Sequence, residues 1–145
     1  MNDEQRRGFE RGIAAFNRGE YFEAHEIWES VWLAAEGPLR EFLQGLIQVS
    51  VALHHLSRGN LRGARSLIER AEAHLAGVPS PFHGIHGRGL LLLADRCVRL
   101  GEEMIGARKS AGKHCLTKQE WFALPLPRLE IEPRRDQTAS DDAPL

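Results

Sequence analysis

The segment from Leu39 to Ser57 constrains the fold more than any other stretch. Leu39, Phe42, Leu43, Leu46, Ile47, Val49, Val51, Leu53 and Leu56 fall at helical spacing and cover most of a helix circumference. A helix that is apolar nearly all round must be surrounded by other elements. The rest of the chain therefore has to supply partners, each with one apolar face.

It supplies them at regular intervals. Asp3 to Asn17 carries Phe9, Ile13 and Phe16 on one face and charged residues on the other, and Arg18-Gly19 ends it with a glycine suited to a left-handed cap. Glu20 to Ala35 places Ala24, Ile27, Trp28, Val31 and Ala35 on one stripe. Glu36-Gly37-Pro38 stops that helix, and Pro38 can open the central one. A fourth helix is expected from Asn60, a good N-cap, to Ala76, and a fifth from Arg88 to Met104. Between them Gly77 to Gly89 reads as a loop. Thr117-Lys118-Gln119-Glu120 has capping-box spacing, which predicts a short helical turn at Trp121 and Phe122. Pro125 and Pro127 then impose an extended course. The expectation is a single helical domain over residues 1–132 and a disordered polar tail over 133–145.

An internal repeat organises these helices. Asn17-Arg18-Gly19-Glu20 through Ala24 aligns with Ser57-Arg58-Gly59-Asn60 through Ala64, an offset of 40. Each unit is a helix, a tight Arg-Gly turn and a second helix, the logic of tetratricopeptide-like hairpins. Two units are too few for a free solenoid. The fold class expected is therefore all-α: a compact bundle of about five helices built on two helical hairpins, with the fifth helix as a lid.

Composition narrows the function. Net charge is -1 and the pI is near 6.7, which argues against a general nucleic-acid or membrane-surface binder. Met1 to Arg11 lacks the apolar core of a signal peptide, and the apolar run Leu90 to Ala94 is far too short to cross a bilayer. Cys97 and Cys115 match no metal or redox spacing. These features predict a cytoplasmic chain with reduced thiols, and leave homo-oligomer formation open.

Reactive side chains concentrate at His25-Glu26-Ile27-Trp28-Glu29-Ser30-Val31-Trp32. His25 and Glu29, four apart, share a helix face, while Glu26 points about 100° away toward a rim. The central helix keeps one polar stripe, Glu41, Gln44, Gln48 and His55. The expectation is a polar inter-helix pocket in which His25 and Glu29 face Gln44, Gln48 and His55, bordered by Trp28 and Trp32. A carboxylate beside an imidazole suits general acid–base work, with Glu26 in support. His25, Glu29 and His55 are also candidate ligands for a divalent metal, with Gln44 or Gln48 behind them. His-Glu-x-x-Glu is not the zinc-protease His-Glu-x-x-His, since Glu29 stands where the second histidine would be. The competing reading is a half-buried pair that only fixes helix register.

Other side chains carry weaker signals. Trp28 and Trp32 are expected to fill the core, with Glu29 or Gln48 accepting from their indole N–H groups. His54 reads as a satisfied core histidine, and His74 has no evident partner. His83 and His86 are loop histidines, and His114-Cys115 is a weak metal pair. Arg62, Arg65 and Arg70 read as a solvated face.

With those residues in place, the chain resembles a family of small prokaryotic helical proteins catalogued as a domain of unknown function, family number 309. The resemblance rests on Gly19-Glu20-Tyr21-Phe22-Glu23-Ala24-His25-Glu26-Ile27-Trp28-Glu29, on Gln44-Gly45-Leu46-Ile47-Gln48, and on His55 with Arg58-Gly59-Asn60. It extends from Phe9 to Leu100. It implies an all-helical bundle and places His25, Glu26, Trp28, Glu29, Gln44 and Gln48 in the family signature, without implying an activity. His86 departs from it, standing where an acidic helix cap is expected.

The leading expectation is a protein that binds a small ligand or divalent metal between helices, with hydrolysis as the reaction class if it is an enzyme. The rival is a helical-repeat module for protein interaction, in which the polar cluster only sets helix register.

Overall fold

The computed structural model describes residues 1–108 and 115–133. It contains six helices in chain order: α1 (Asp3–Asn17), α2 (Tyr21–Trp32), α3 (Gly37–Ser57), α4 (Leu61–Leu75), α5 (Gly87–Gly106) and α6 (Lys118–Ala123). No strand is present among the described residues, only one isolated bridge between Phe82 and Ile85. The expected tail beyond Pro133, and His114 of the His114-Cys115 pair, lie outside the described residues.

The two Arg-Gly turns are built alike. After α1, the Gly19 N–H donates to the Phe16 carbonyl at 2.9 Å and the Glu20 N–H to Ala15 at 3.0 Å. Forty residues on, the Gly59 N–H donates to Leu56 at 3.0 Å and the Asn60 N–H to His55 at 2.8 Å. Both are Schellman caps, which need a left-handed residue. Gly19 and Gly59 supply it, at φ 80 and 79. The repeat continues through the core, where Phe9 and Val49, Phe16 and Leu56, Ala24 and Ala64, Trp28 and Ile68, and Ala35 and Leu75 are buried in matched pairs.

The central helix is α3. It packs on α2, α4 and α5, and Phe42, Leu43, Leu46, Val49, Ala52, Leu53 and Leu56 are fully buried. Its surroundings account for the circumferential apolar pattern. Among the flanking helices α2 ends earlier than its apolar stripe suggested. Ala34 and Ala35 close the last turn with i→i+3 bonds to Val31 and Trp32, and the Arg40 guanidinium satisfies the freed carbonyls of Trp32 and Ala35. Ala35 stays buried although it is outside the helix.

The α1–α2 hairpin is held by a tryptophan. Trp28 is fully buried, its ring lies 5.9 Å from that of Phe16, and its indole N–H donates to the Phe9 carbonyl at 3.1 Å. The expected acceptors, Glu29 and Gln48, are not used. The indole crosses onto α1 because Gly12 leaves a notch there. A Cβ at Gly12 would lie 2.1 Å from the indole nitrogen.

The chain after α5 returns across the bundle. The α6 capping box forms as expected between Thr117 and Glu120. Residues 124–133 then run without helix or strand, through a tight turn in which the Leu126 N–H donates to the Leu124 carbonyl at 2.8 Å. Leu124, Pro127 and Leu129 are buried, and the Asn17 side chain brackets Leu129 with two 2.8 Å bonds to its N–H and carbonyl.

The Gly12→Ala variant is expected to lose about 1–3 kcal/mol of stability, because the indole cannot retreat from a filled interface. Gly106→Ala, whose Cβ meets nothing within 4 Å, is the control and should be neutral or slightly stabilising. Urea denaturation of both variants beside the wild type measures the difference.

Candidate functional site

His25 and Glu29 meet as their spacing requires, with His25 Nε2 3.3 Å from Glu29 Oε2. The pair sits at an edge of the bundle: the His25 side chain is 19% exposed and that of Glu29 is 56% exposed. His25 Nδ1 lies 2.9 Å from the Phe22 carbonyl, one turn back. A carbonyl accepts only, so Nδ1 carries the hydrogen; Nε2 faces the Glu29 carboxylate, to which it donates only when the ring is protonated.

Phe22, itself half exposed, is the centre of this edge. Its ring lies 5.0 Å from the His25 ring and 5.2 Å from the His54 ring of α3. His54 is thus a seam histidine and not a core one. Arg58 donates from Nε to His54 Nε2 at 3.3 Å. Burial first, then the charge of Arg58 and the neighbouring His55 and His25, hold the His54 imidazole below its ordinary value.

The other residues singled out in the sequence are dispersed. Glu26 is exposed on α2. Trp28 is in the core, as described. Trp32 is half-buried beneath the Arg40 guanidinium, 3.7 Å from its ring centroid. Gln44 is half-buried. Gln48 is 7% exposed and its Oε1 has no partner. His55 turns to Asn60, with Nδ1 3.2 Å from the Asn60 amide nitrogen at the Schellman turn. Among the described residues no three His, Cys, Asp or Glu side chains gather in a metal-holding group.

The repeat explains why this seam differs from its counterpart. Shifting by 40 carries His25 onto Arg65 and His55 onto Asp95. In the α4–α5 seam Arg65 binds both Asp95 and, at 2.8 Å, Glu102. Arg65 is therefore a half-buried tie between helices, not part of a solvated face. In the α2–α3 seam the matched positions hold two histidines that make no pair with each other. Each takes a partner on its own hairpin, and the seam is left without an ionic closure.

Three features have weak sequence signals. His74 binds Glu41 across α3 and α4 at 2.7 Å. A cleft of about 440 Å³ opens between the start of α1 and the end of α2, near Gln5, Arg7, Arg11 and Ser30. None of the expected site residues lines it. The third is the Asn17–Leu129 clamp, spanning 112 residues with no local pattern to reveal it. On the same segment the Pro125 carbonyl accepts at 3.2 Å from Cys97 of α5, whose thiol burial pushes up to about 11, so it remains protonated.

Two stacked helical hairpins around a buried helix, with a histidine–aromatic edge on the first seam, define an all-α repeat-type bundle. The chain belongs to the family described as "Domain of unknown function (DUF309)", which its residues 9–67 match. Gly19 to Glu29, Gln44 to Gln48 and His55 to Asn60 all lie in that match, while residues 68–100 lie beyond it. The crystal structure of a conserved hypothetical protein from Thermus thermophilus is 39% identical with a TM-score of 0.53, covering 62% of this chain and 94% of that one. An uncharacterized protein of Aquifex aeolicus (strain VF5) is 34% identical over 73 residues, which are 50% of this chain but 22% of the relative's length. No helix among the described residues is long and apolar enough to cross a membrane.

Because the folded chain disfavours the charged form of His54, the unfolded chain takes up that proton more readily, and stability from this group rises with pH. The contribution is full above the ordinary imidazole value of about 6.5 and is lost as pH falls through the lower folded value. Lowering the pH from about 7.5 to 5.5 should therefore reduce the urea midpoint less in His54→Gln than in wild type. Equal losses in the two proteins would rule this contribution out.

Proposed function

We propose that the chain is a cytoplasmic protein-interaction module whose contact face is the α2–α3 edge centred on Phe22. The observation that carries this is the half-exposed Phe22 ring held between the imidazoles of His25 and His54. A large aromatic side chain fixed in place at low entropy cost is the usual anchor of an interface. Among the described residues no carboxylate ties the two helices of this seam as Asp95 and Glu102 tie α5 to Arg65, and Arg58 lies at its rim. The matching partner surface carries an apolar side chain for Phe22, flanked by carboxylates for His54 and Arg58. In this reading the His25–Glu29 pair orients the edge and performs no chemistry.

A second reading keeps the seam as a binding site for a small ligand or a divalent metal, with hydrolysis as its chemistry. It is favoured by Gln48, whose buried Oε1 is an acceptor in want of a donor or a cation.

Cross-linking capture followed by calorimetry with the purified partner separates the two. Phe22→Ser should weaken binding by about tenfold or more with an unchanged melting temperature, while Leu33→Ser, exposed on the same hairpin, should bind as wild type. Stoichiometric uptake of Zn²⁺ or Mn²⁺, abolished in folded His25→Ala and Glu29→Ala proteins, would establish the second reading instead.

A further inference from the structure

Residues 124–132 lie along the bundle in the manner of a bound peptide. They are held both through their backbone and through spaced side chains. Asn17 accepts from the Leu129 N–H and donates to its carbonyl, the Cys97 thiol donates to the Pro125 carbonyl, and the Glu132 N–H donates to Gly84 at 2.7 Å. Its side chains contribute at spaced positions: Leu124, Pro127 and Leu129 are buried, Leu126 packs partly against the core, and the Glu132 carboxylate pairs with His86, while Pro125, Arg128 and Glu130 are exposed. Hydrogen bonds to a segment's main chain, joined to apolar pockets at spaced positions, are also how an extended segment is recognised in trans. The receiving surface belongs to other parts of the chain: the α1 terminus, α5 and the loop before it. The fit is loose on both flanks. A cleft of about 350 Å³ opens between the segment and Tyr21, Trp121 and Phe122. A second, of about 240 Å³, opens beside Leu90 and Leu93.

We propose that this groove is a binding site for an extended, leucine-bearing segment of another protein, and that residues 124–132 are its resident competitor. Because Pro125, Arg128 and Glu130 are exposed and the bonds at Pro125 and Leu129 fall on backbone atoms, the groove tolerates a change of sequence at those positions. The incoming segment needs a small set of features. It carries an apolar residue at the Leu129 position whose N–H and carbonyl are both free for Asn17. It also carries a second apolar residue about five positions earlier, for the Leu124 pocket. This site is separate from the Phe22 edge, so either can fail without the other.

The test uses the full-length chain. Leu129→Asp places a charge in the pocket and releases the resident segment. A fluorescein-labelled peptide spanning residues 122–133 should bind this variant at least about tenfold more tightly than it binds wild type, since the internal competitor is gone. Adding Asn17→Ala to the release variant should cost about tenfold in affinity, the loss of two hydrogen bonds. A release variant that retains its helicity and binds no peptide overturns the proposal. A wild-type chain that dimerises by exchanging this segment, and binds no peptide, also overturns it in favour of a second copy as occupant. Should Leu129→Asp unfold, hydrogen exchange on full-length Asn17→Ala decides. Faster exchange of the Leu129 and Glu132 amides, by about tenfold, with unchanged α1–α5 protection, supports a segment that opens by itself. Exchange of those amides only with global unfolding makes the segment part of the core and overturns the proposal.

Discussion

The contact between Trp28 and the backbone of α1 is the one on which the remaining geometry depends. A helix carbonyl has two lone pairs and spends one within the helix, so Phe9 can accept the indole N–H without losing its own turn. The missing side chain at Gly12 lets the ring lie flat enough to reach that carbonyl. A polar atom on the largest core side chain is thereby satisfied in the driest part of the hairpin, where leaving it unpaired would cost about 1–3 kcal/mol. Fixing the α1–α2 approach fixes the Phe16 and Tyr21 rings beside it. It also sets the face of α2 from which Phe22 and His25 project.

Most of the fold is readable in the sequence because it is local. The central position of α3 follows from an apolar pattern that no single-faced packing could bury. The Schellman turns follow from Arg-Gly at two places 40 residues apart, and the α6 cap from Thr117 and Glu120. What escapes is tertiary. The acceptor for Trp28 is a backbone carbonyl, and carbonyls carry no sequence signature. The same holds for Leu129, whose amide meets Asn17 across nearly the whole chain. The candidate site divides along the same line. The His25–Glu29 pair is an i,i+4 contact and is legible. Its failure to converge with His55 is not, because His55 is engaged by the Asn60 side chain at the Schellman turn, a partner set by local turn geometry.

The repeat turns that divergence into an argument about function. Two hairpins of like geometry offer two seams, and the chain closes them differently. At α4–α5, Arg65 reaches two carboxylates on the facing helix, a half-buried network that also restricts how α5 can slide. At α2–α3, apolar burial does the holding, and imidazoles and an aromatic ring occupy the edge. Stability alone would favour the same solution in both places. A seam that keeps Phe22 half in water forgoes part of the burial it could have had, worth about 1.5–3 kcal/mol for a side chain of that size. Against the marginal stability of a folded domain that cost is appreciable, as expected of a surface retained for contact.

A two-hairpin stack has the difficulty of every short solenoid: its terminal repeats present apolar faces with no further repeat to cover them. At one end α5 covers α3 and α4. At the other, α1 packs chiefly on α2, with Phe9 reaching Phe42 of α3, and Phe16, Tyr21 and the α1 terminus need another cover. The segment 124–132 and Trp121 supply it, with Trp121 edge-on to Tyr21 at 6.2 Å. A helix would have covered this end more fully, with its backbone groups bonded internally. An extended segment leaves its backbone to be satisfied by the bundle, and Asn17, Cys97 and Gly84 do so. A cover held by borrowed hydrogen bonds and three buried side chains can leave without unravelling itself or the helices beneath, which a docked helix could not do as readily.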